Sequence, residues 1–548
     1  MGTEDIVKYW LEHVTDAALK EELQTLLPDK KELEDRFYKD LTFGTGGLRG
    51  IIGVGRNCLN IYTIARVSDG VALYMQKEGM KKAAVSYDSR IRSCEFAQTA
   101  ARVLAQRGMQ VIFVKELMPT PFLSYMTREC GCDIGIMITA SHNPAKYNGY
   151  KVYNADGCQI TDAAAKEIAG CIAQIGYFAT RAEPFESFVR SGRIEYADDA
   201  TEERYLQEIR SRLQYPVGDL SVTYSALNGT GWRIVPKLLR SCGIGRLDTV
   251  MEQVTPDGNF PTCSCPNPEK PEALALGLEY ARRSGSDLLL ATDPDADRVG
   301  IAVRDGGDYK LLTGNEVGVL LCEYLLSVKK ARGTLPRHPV LIKTIVTTDM
   351  AVPIAKEYGC EVIEVLTGFK YIGEQVGRLE REGRAEDFIL GFEESYGYLT
   401  GTKVRDKDAV SSSLLICEMA AYYKAQGVTL CGAMERLYKK YGRYVNRLYR
   451  YEFPGAEGYA QMQKLMKELR VSGGRALFGE EVRSVKDYLL PDTGLPRSDV
   501  LSFRLACGSG VIVRPSGTEP QIKIYVTDRS GDPAGLRRIR ALLDRYFA

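Results

Sequence analysis

Residues 286–303 read SDLLLATDPDADRVGIAV, with an apolar run at 288–290, an acidic loop, and a second apolar run at 299–303. Short apolar runs of this kind, bounded by turn residues, read as buried strands. Asp293, Asp295 and Asp297 occupy alternate positions between them. In an extended loop such alternation sends three oxygens to one side, as a hard cation requires. A solvated acidic turn is the plain alternative. Between two buried strands, however, three uncompensated carboxylates would repel one another, so the loop is predicted to bind a metal. An EF-hand is excluded, because Arg298 stands where glycine is needed and Arg304 where glutamate is needed. Haloacid-dehalogenase phosphatases share D-x-D but want Thr or Val where Asp297 stands. A small all-oxygen site, in a chain whose other motifs suit phosphate, favours Mg²⁺.

Upstream and downstream of this stretch the same grammar recurs. Strands are predicted over 83–87, 109–115 and 132–138, with a helix over 94–107, and the last strand runs into TASHNP at 139–144. A second unit has a strand over 220–227 and a helix over 272–283, and its strand over 287–291 leads into the acidic loop. A third has a helix over 316–328, strands over 340–346 and 361–365, and a strand over 387–390 ending in GFEESYG. Each unit carries a polar motif at the carboxyl end of a strand, where open α/β sheets bind ligands. Helices over 5–27 and 30–41 read as an N-terminal extension. Beyond about residue 446 the pattern changes: a helix over 457–470, strands over 510–513 and 521–526 around RPSGTEP, and a closing helix over 534–546 indicate a smaller α+β domain.

The 548 residues exceed what one hydrophobic core supports, and about three or four domains are expected. Lys plus Arg (72) nearly balances Asp plus Glu (71), so no broad basic field points to nucleic acid or an anionic membrane. MGTEDIVKYW is acidic where a signal peptide is basic, and no apolar run is long enough to span a bilayer. Fourteen cysteines lack C-x-x-C spacing; C-x-C pairs occur at Cys130/Cys132 and Cys263/Cys265, and others such as Cys507 sit singly among apolar neighbours. Reduced thiols and a cytoplasmic location are the expectation. Only His13, His142 and His338 are present and no G-x-S-x-G occurs, so chemistry falls to carboxylates, Lys, Arg and Ser.

Ser, Asn and Pro make TASHNP an ordinary turn by composition. Its position at a strand end makes Ser141 a candidate phosphoryl acceptor, with His142 and Lys151 close in sequence. Arg514, Ser516, Gly517 and Thr518 supply a guanidinium, two hydroxyls and an approachable glycine, the parts of a phosphate nest, although a β-turn explains them equally. Glu393 and Ser395 could hold vicinal sugar hydroxyls, or cap a following helix. Thr367, Gly368 and Lys370 fit a helix N-terminus. FGTGGLRG at 43–50 is neither a Walker loop nor G-x-G-x-x-G.

In this order the motifs resemble the α-D-phosphohexomutase superfamily, which includes phosphoglucomutases and phosphomannomutases; TASHNP paired with DPDADR is highly specific. The resemblance implies an α/β fold of three successive αβα-layered domains with mixed sheets and a smaller C-terminal α+β domain, four domains around a central cleft. The boundaries expected are 1–212, 213–315, 316–445 and 446–548. It implies a phosphoserine at Ser141, and Mg²⁺ bound by Ser141, Asp293, Asp295 and Asp297. It places Arg49, His142, Lys151 and Arg298 around them, a sugar clamp at Glu393 and Ser395, an orientation-sensing loop at 367–370, and a phosphate site at Arg514, Ser516, Gly517 and Thr518. Bacterial phosphomannomutase/phosphoglucomutases usually carry histidines where Phe369 and the pair Gly397-Tyr398 stand. VRDKDAV, with Lys407, looks like the branch that uses lysine instead. FGTGGLRG, LTGFK and FEESYG look like the branch of bacterial α-phosphoglucomutases and animal phosphopentomutases. The implied reaction interconverts glucose 1-phosphate and glucose 6-phosphate through a sugar 1,6-bisphosphate, with pentose or mannose phosphates as alternatives and a non-catalytic scaffold as the other class. Small sugar phosphates are the implied partners, with no nucleic acid or membrane, in a monomer or homodimer.

Overall fold

The computed structural model describes residues 2–478, 481–516, 521–529 and 533–547. The chain divides into two compact units. Met1–Thr313, Ile372–Phe388 and Ser395–Thr429 form the first; Gly314–Tyr371, Ile389–Glu394 and Leu430–Ala548 form the second.

The first unit holds two mixed sheets. Leu48–Ile51 (β1), Lys82–Tyr87 (β2), Gln110–Phe113 (β3), Ile134–Ile138 (β4), Tyr147–Asn154 (β5) and Ile194–Tyr196 (β6) are ordered β1-β5-β4-β2-β3-β6. β4, β2, β3 and β6 run parallel, and β5 returns antiparallel to both β4 and β1. Every residue of β4 is buried, as its uninterrupted IGIMI foretells for a strand covered on both faces. Ser221–Ser225 (β7), Arg246–Thr249 (β8), Leu288–Thr292 (β9), Val299–Asp305 (β10) and Asp308–Leu312 (β11) are ordered β11-β10-β9-β7-β8.

In the second unit Val340–Thr344 (β12) pairs parallel with Glu361–Val365 (β13), and β12 is flanked on its other side by Phe388–Glu393 (β14). Gly397–Leu399 (β15) belongs to the first unit. The C-terminal sheet comprises Val445–Glu452 (β16), Val482–Asp487 (β17), Leu501–Leu505 (β18), Gly510–Pro515 (β19) and Gln521–Asp528 (β20), in the order β16-β20-β19-β18-β17, antiparallel throughout. β20 alternates partly exposed and buried residues; Ile522, Ile524 and Val526 enter a core with Phe503, Val511, Val513 and Leu543. Its other face joins a smaller cluster in which Tyr488 and Val500 meet Ile345, Val346 and Leu366, with Arg504 paired to Asp349 at 2.6 Å.

Several predicted elements need correction. The helix over 5–27 is two, Thr3–His13 and Ala17–Leu26, because Asp16 leaves the helical path and its carboxylate caps the Leu19 N–H at 2.9 Å. The next helix stops at Phe37 rather than residue 41, where Arg56 takes the Phe37 and Tyr38 carbonyls. The tail has five strands, not two: β16, β17 and β18 are additional, and β16 and β17 escape the sequence pattern because their sides away from the core are polar and exposed. Cys507 is exposed rather than packed among apolar neighbours. β14 runs on through Gly391 and Phe392 to Glu393, and the next element is the strand β15, so the helix-cap reading of GFEESYG fails. Among the described residues no helix is long and apolar enough to cross a membrane.

Candidate active site

β4 delivers Ser141 at its carboxyl end. The residue is 4% exposed and its φ is +51°, in the left-handed region that non-glycine residues seldom enter. A Thr139 hydroxyl takes the Ser141 N–H at 2.8 Å. Arg90, just beyond β2, braces the loop from beneath: it donates to the carbonyls of Ser141, Asn143, Pro144 and Tyr147. Such over-determination is what holds a strained backbone in place. Sequence reasoning missed Arg90. Its position after a strand of the same parallel set was the available signal, since those carboxyl ends share one edge.

β9 delivers the aspartates to the same place. The loop is a tight turn rather than the extended segment expected, with Ala296 at φ +48° and its N–H on the Asp293 carbonyl at 2.9 Å. The turn, not alternation, gathers the carboxylates: one oxygen from each of Asp293, Asp295 and Asp297 lies within 4.8 Å of the others, and all three side chains are buried. The Ser141 hydroxyl donates to Asp293 Oδ2 at 2.7 Å and lies 3.3 Å from His142 Nδ1. Lys151, on β5, donates to Asp295 Oδ2 at 2.9 Å and lies 3.8 Å from Asp297. Thr120, also missed from the sequence, donates to the same Asp295 oxygen at 2.7 Å. Lys407 reaches Asp297 Oδ2 at 3.2 Å, Arg298 pairs with Glu269 at 2.7 Å, and Arg49 donates to the Asn143 side chain at 3.2 Å.

Burial, followed by the mutual repulsion of the carboxylates, pushes Asp293 well above the usual range and raises Asp297. Burial pushes Asp295 the same way, but the adjacent Lys151 ammonium overcomes it and holds that carboxyl below the usual range. Burial, then the Arg298 and Arg49 charges, hold His142 well below the ordinary histidine value. Asp295 Oδ1 and Asp297 Oδ1 are buried without a hydrogen-bond partner. Buried carboxylate oxygens are rarely left so. Oxygen donors with unmet acceptor capacity and mutual repulsion fit a small divalent cation.

Most of the remaining predicted residues belong to the second unit. In the second unit Glu393, at the end of β14, accepts the Gly368 N–H at 3.0 Å, and Gly368 has φ +125°. Thr367 precedes it and Lys370 lies over the Tyr371 ring. Helix Phe369–Arg381 begins directly after this loop, as the sequence suggested. Ser395 belongs to the first unit. Arg514 lies on β19 opposite Lys523 of β20, and the Ser516 N–H bonds the Gln521 carbonyl at 2.8 Å. Gly517 and Thr518 lie outside the described residues.

Ser141 meets three aspartates beyond strand ends of two mixed α/β sheets, and the C-terminal sheet is antiparallel throughout. Phosphoglucomutase/phosphomannomutase alpha/beta/alpha domains I, II and III match residues 40–177, 195–307 and 313–441, and the chain belongs to that family of sugar phosphomutases. Among individual proteins, the phosphoglucomutase of Staphylococcus aureus is 35% identical over 535 residues, 94% of each chain. A phosphoglucomutase/phosphomannomutase family protein of Burkholderia thailandensis has a similar structure (TM-score 0.70, 20% identity, covering 92% of this chain and 96% of that one). So does the N-acetylphosphoglucosamine mutase of Aspergillus fumigatus, solved in complex with GlcNAc-6P and magnesium (TM-score 0.50, 15% identity, 93% and 97% covered).

Proposed function

We propose that the chain interconverts glucose 1-phosphate and glucose 6-phosphate through phospho-Ser141 and glucose 1,6-bisphosphate. The observation that carries this reading is the Ser141 hydroxyl at 2.7 Å from Asp293, inside a triple-carboxylate cluster. The S. aureus relative supports glucose as the sugar. Phospho-Ser141 gives its phosphoryl group to the free sugar hydroxyl: the new P–O bond forms as the bond to the serine oxygen breaks, and the proton lost by the sugar hydroxyl is balanced by one gained at the serine oxygen. The bisphosphate turns over and returns its other phosphoryl group to Ser141.

Asp293, Asp295 and Asp297, with an oxygen on Ser141, would hold Mg²⁺, which neutralises phosphoryl charge when bound. Lys151, Lys407, Arg49 and Arg298 supply the remaining positive charge, and uncharged His142, 3.3 Å from the hydroxyl, can exchange a proton with it. Glu393, Ser395 and the loop Thr367, Gly368 and Lys370 would read the sugar hydroxyls; Arg514, Ser516, Gly517 and Thr518 would take the phosphate not being transferred. The four domains would be 1–212, 213–315, 316–445 and 446–548.

Steady-state kinetics on glucose 1-phosphate, mannose 1-phosphate and ribose 1-phosphate, each primed with its bisphosphate, tests the assignment. Glucose 1-phosphate is expected to show the highest kcat/KM. A preference for ribose 1-phosphate would make the chain a phosphopentomutase, and release of inorganic phosphate without isomerisation would make it a phosphatase.

A further inference from the structure

Lys407 is held at both ends of its side chain. Its Nζ lies 3.2 Å from Asp297 Oδ2 and 3.1 Å from Asp406 Oδ1. Its stem passes over Gly397, where an added Cβ would come within 2.3 Å of Cδ and 2.7 Å of Cγ. Asp406 itself is 2% exposed. Its Oδ1 also accepts the Lys407 N–H at 2.8 Å, and its Oδ2 accepts the Tyr153 hydroxyl at 2.8 Å and the Gln159 amide at 3.4 Å.

Tyr153 lies two residues beyond Lys151 on β5, so both side chains leave the same face of the strand. Lys151 meets Asp295 and Tyr153 meets Asp406, while Lys407 bridges from Asp406 to Asp297. A buried line results whose charges alternate: Asp406, Lys407, Asp297, Lys151, Asp295. A hydroxyl closes each end, Tyr153 on Asp406 and Thr120 on Asp295. Asp406 alone would neutralise Lys407, being its neighbour in the chain. Tyr153 and Gln159 add direction, because two donors on one oxygen fix the carboxylate plane and so fix where the other oxygen draws the ammonium.

We propose that Asp406, oriented by Tyr153 and Gln159, is a positioning residue that aims the Lys407 ammonium at the phosphoryl group in transfer. This rests on the role given to Lys407 under the proposed function. The Tyr153 ring is fully buried in the core and would pack as phenylalanine; apart from Asp406 its hydroxyl meets the Gln159 amide, at 3.4 Å.

The test is a double-mutant cycle on the full chain, with glucose 1-phosphate and glucose 1,6-bisphosphate, of Tyr153→Phe, Lys407→Ala and the pair. Tyr153→Phe is expected to lower kcat roughly tenfold, the scale of one hydrogen bond to a charged group, with KM and melting temperature near wild type. In the Lys407→Ala background the same change should alter kcat by less than about twofold, because the group it serves is gone. Effects that multiply, or a rise in KM at constant kcat, overturn the positioning role while leaving Lys407 in the mechanism. A wild-type kcat for Lys407→Ala overturns both. Should Tyr153→Phe not fold, Gln159→Leu removes the longer contact and should give the same cycle at about two- to threefold amplitude.

Discussion

Ser141 and Arg514 both stand at strand ends, yet their surroundings differ in kind. Around Ser141 most cations are held by anions or carbonyls: Lys151 and Lys407 lie on the aspartates, Arg298 on Glu269, and Arg90 on a ring of carbonyls. Arg514 is only partly buried and its cross-strand neighbour is Lys523, another cation. Like charges directly opposite destabilise a sheet. The first arrangement fixes a geometry in advance, as group transfer demands. The second sets two cations side by side across a strand pair, and under the proposed function that charge would receive the phosphate not being transferred.

The largest expected effect comes from the first arrangement. Ser141→Ala should abolish turnover with melting temperature little changed, and intact mass should show a partly occupied single phosphate on the wild type and none on the variant. Retained activity would remove the asymmetry between the two regions. Next comes the carboxylate cluster. EDTA should stop the reaction and Mg²⁺ restore it, and Asp295→Asn should lower kcat by about a hundredfold or more; isothermal titration should show weakened Mg²⁺ binding. Full activity in metal-free buffer would contradict the fit.

Arg514→Ala sharpens the contrast from the other side. One charge-assisted contact to phosphate is worth about 1.5–3 kcal/mol, so KM should rise roughly ten- to hundredfold while Ser141 still becomes phosphorylated. Loss of the serine phosphate in that variant would mean that the two regions do not divide the work. The smallest effect is expected at Arg504→Ala, which breaks a half-exposed ion pair with Asp349. Screening limits such pairs to under about 1 kcal/mol, so thermal unfolding should shift only slightly and KM should hold.

The α/β framework and the Ser141–aspartate meeting were legible because strand ends carry motifs and apolar runs of four to eight residues mark buried strands. β13 was read at its full extent, and β9 to within a residue at each end. Long-range partners were not legible. Thr120 lies 175 positions from Asp295 and Tyr153 lies 253 from Asp406, and neither sits in a motif. The edge strands β16 and β17 escaped because half their residues face outward and carry charge, which blurs alternation. The three carboxylates of the acidic loop do come together, but not by alternation in an extended segment: a left-handed Ala296 makes the turn, and no residue type announces that.

The torsion of Ser141 narrows what selection can place there. Threonine carries the same hydroxyl and is phosphorylated by the same chemistry, but its branched Cβ makes a φ of +51° a true outlier. Four carbonyls clamped by Arg90 prevent the loop from relaxing to accommodate the methyl group. Of the two alcohols in the genetic code that could accept a phosphoryl group through an aliphatic oxygen, the backbone admits one.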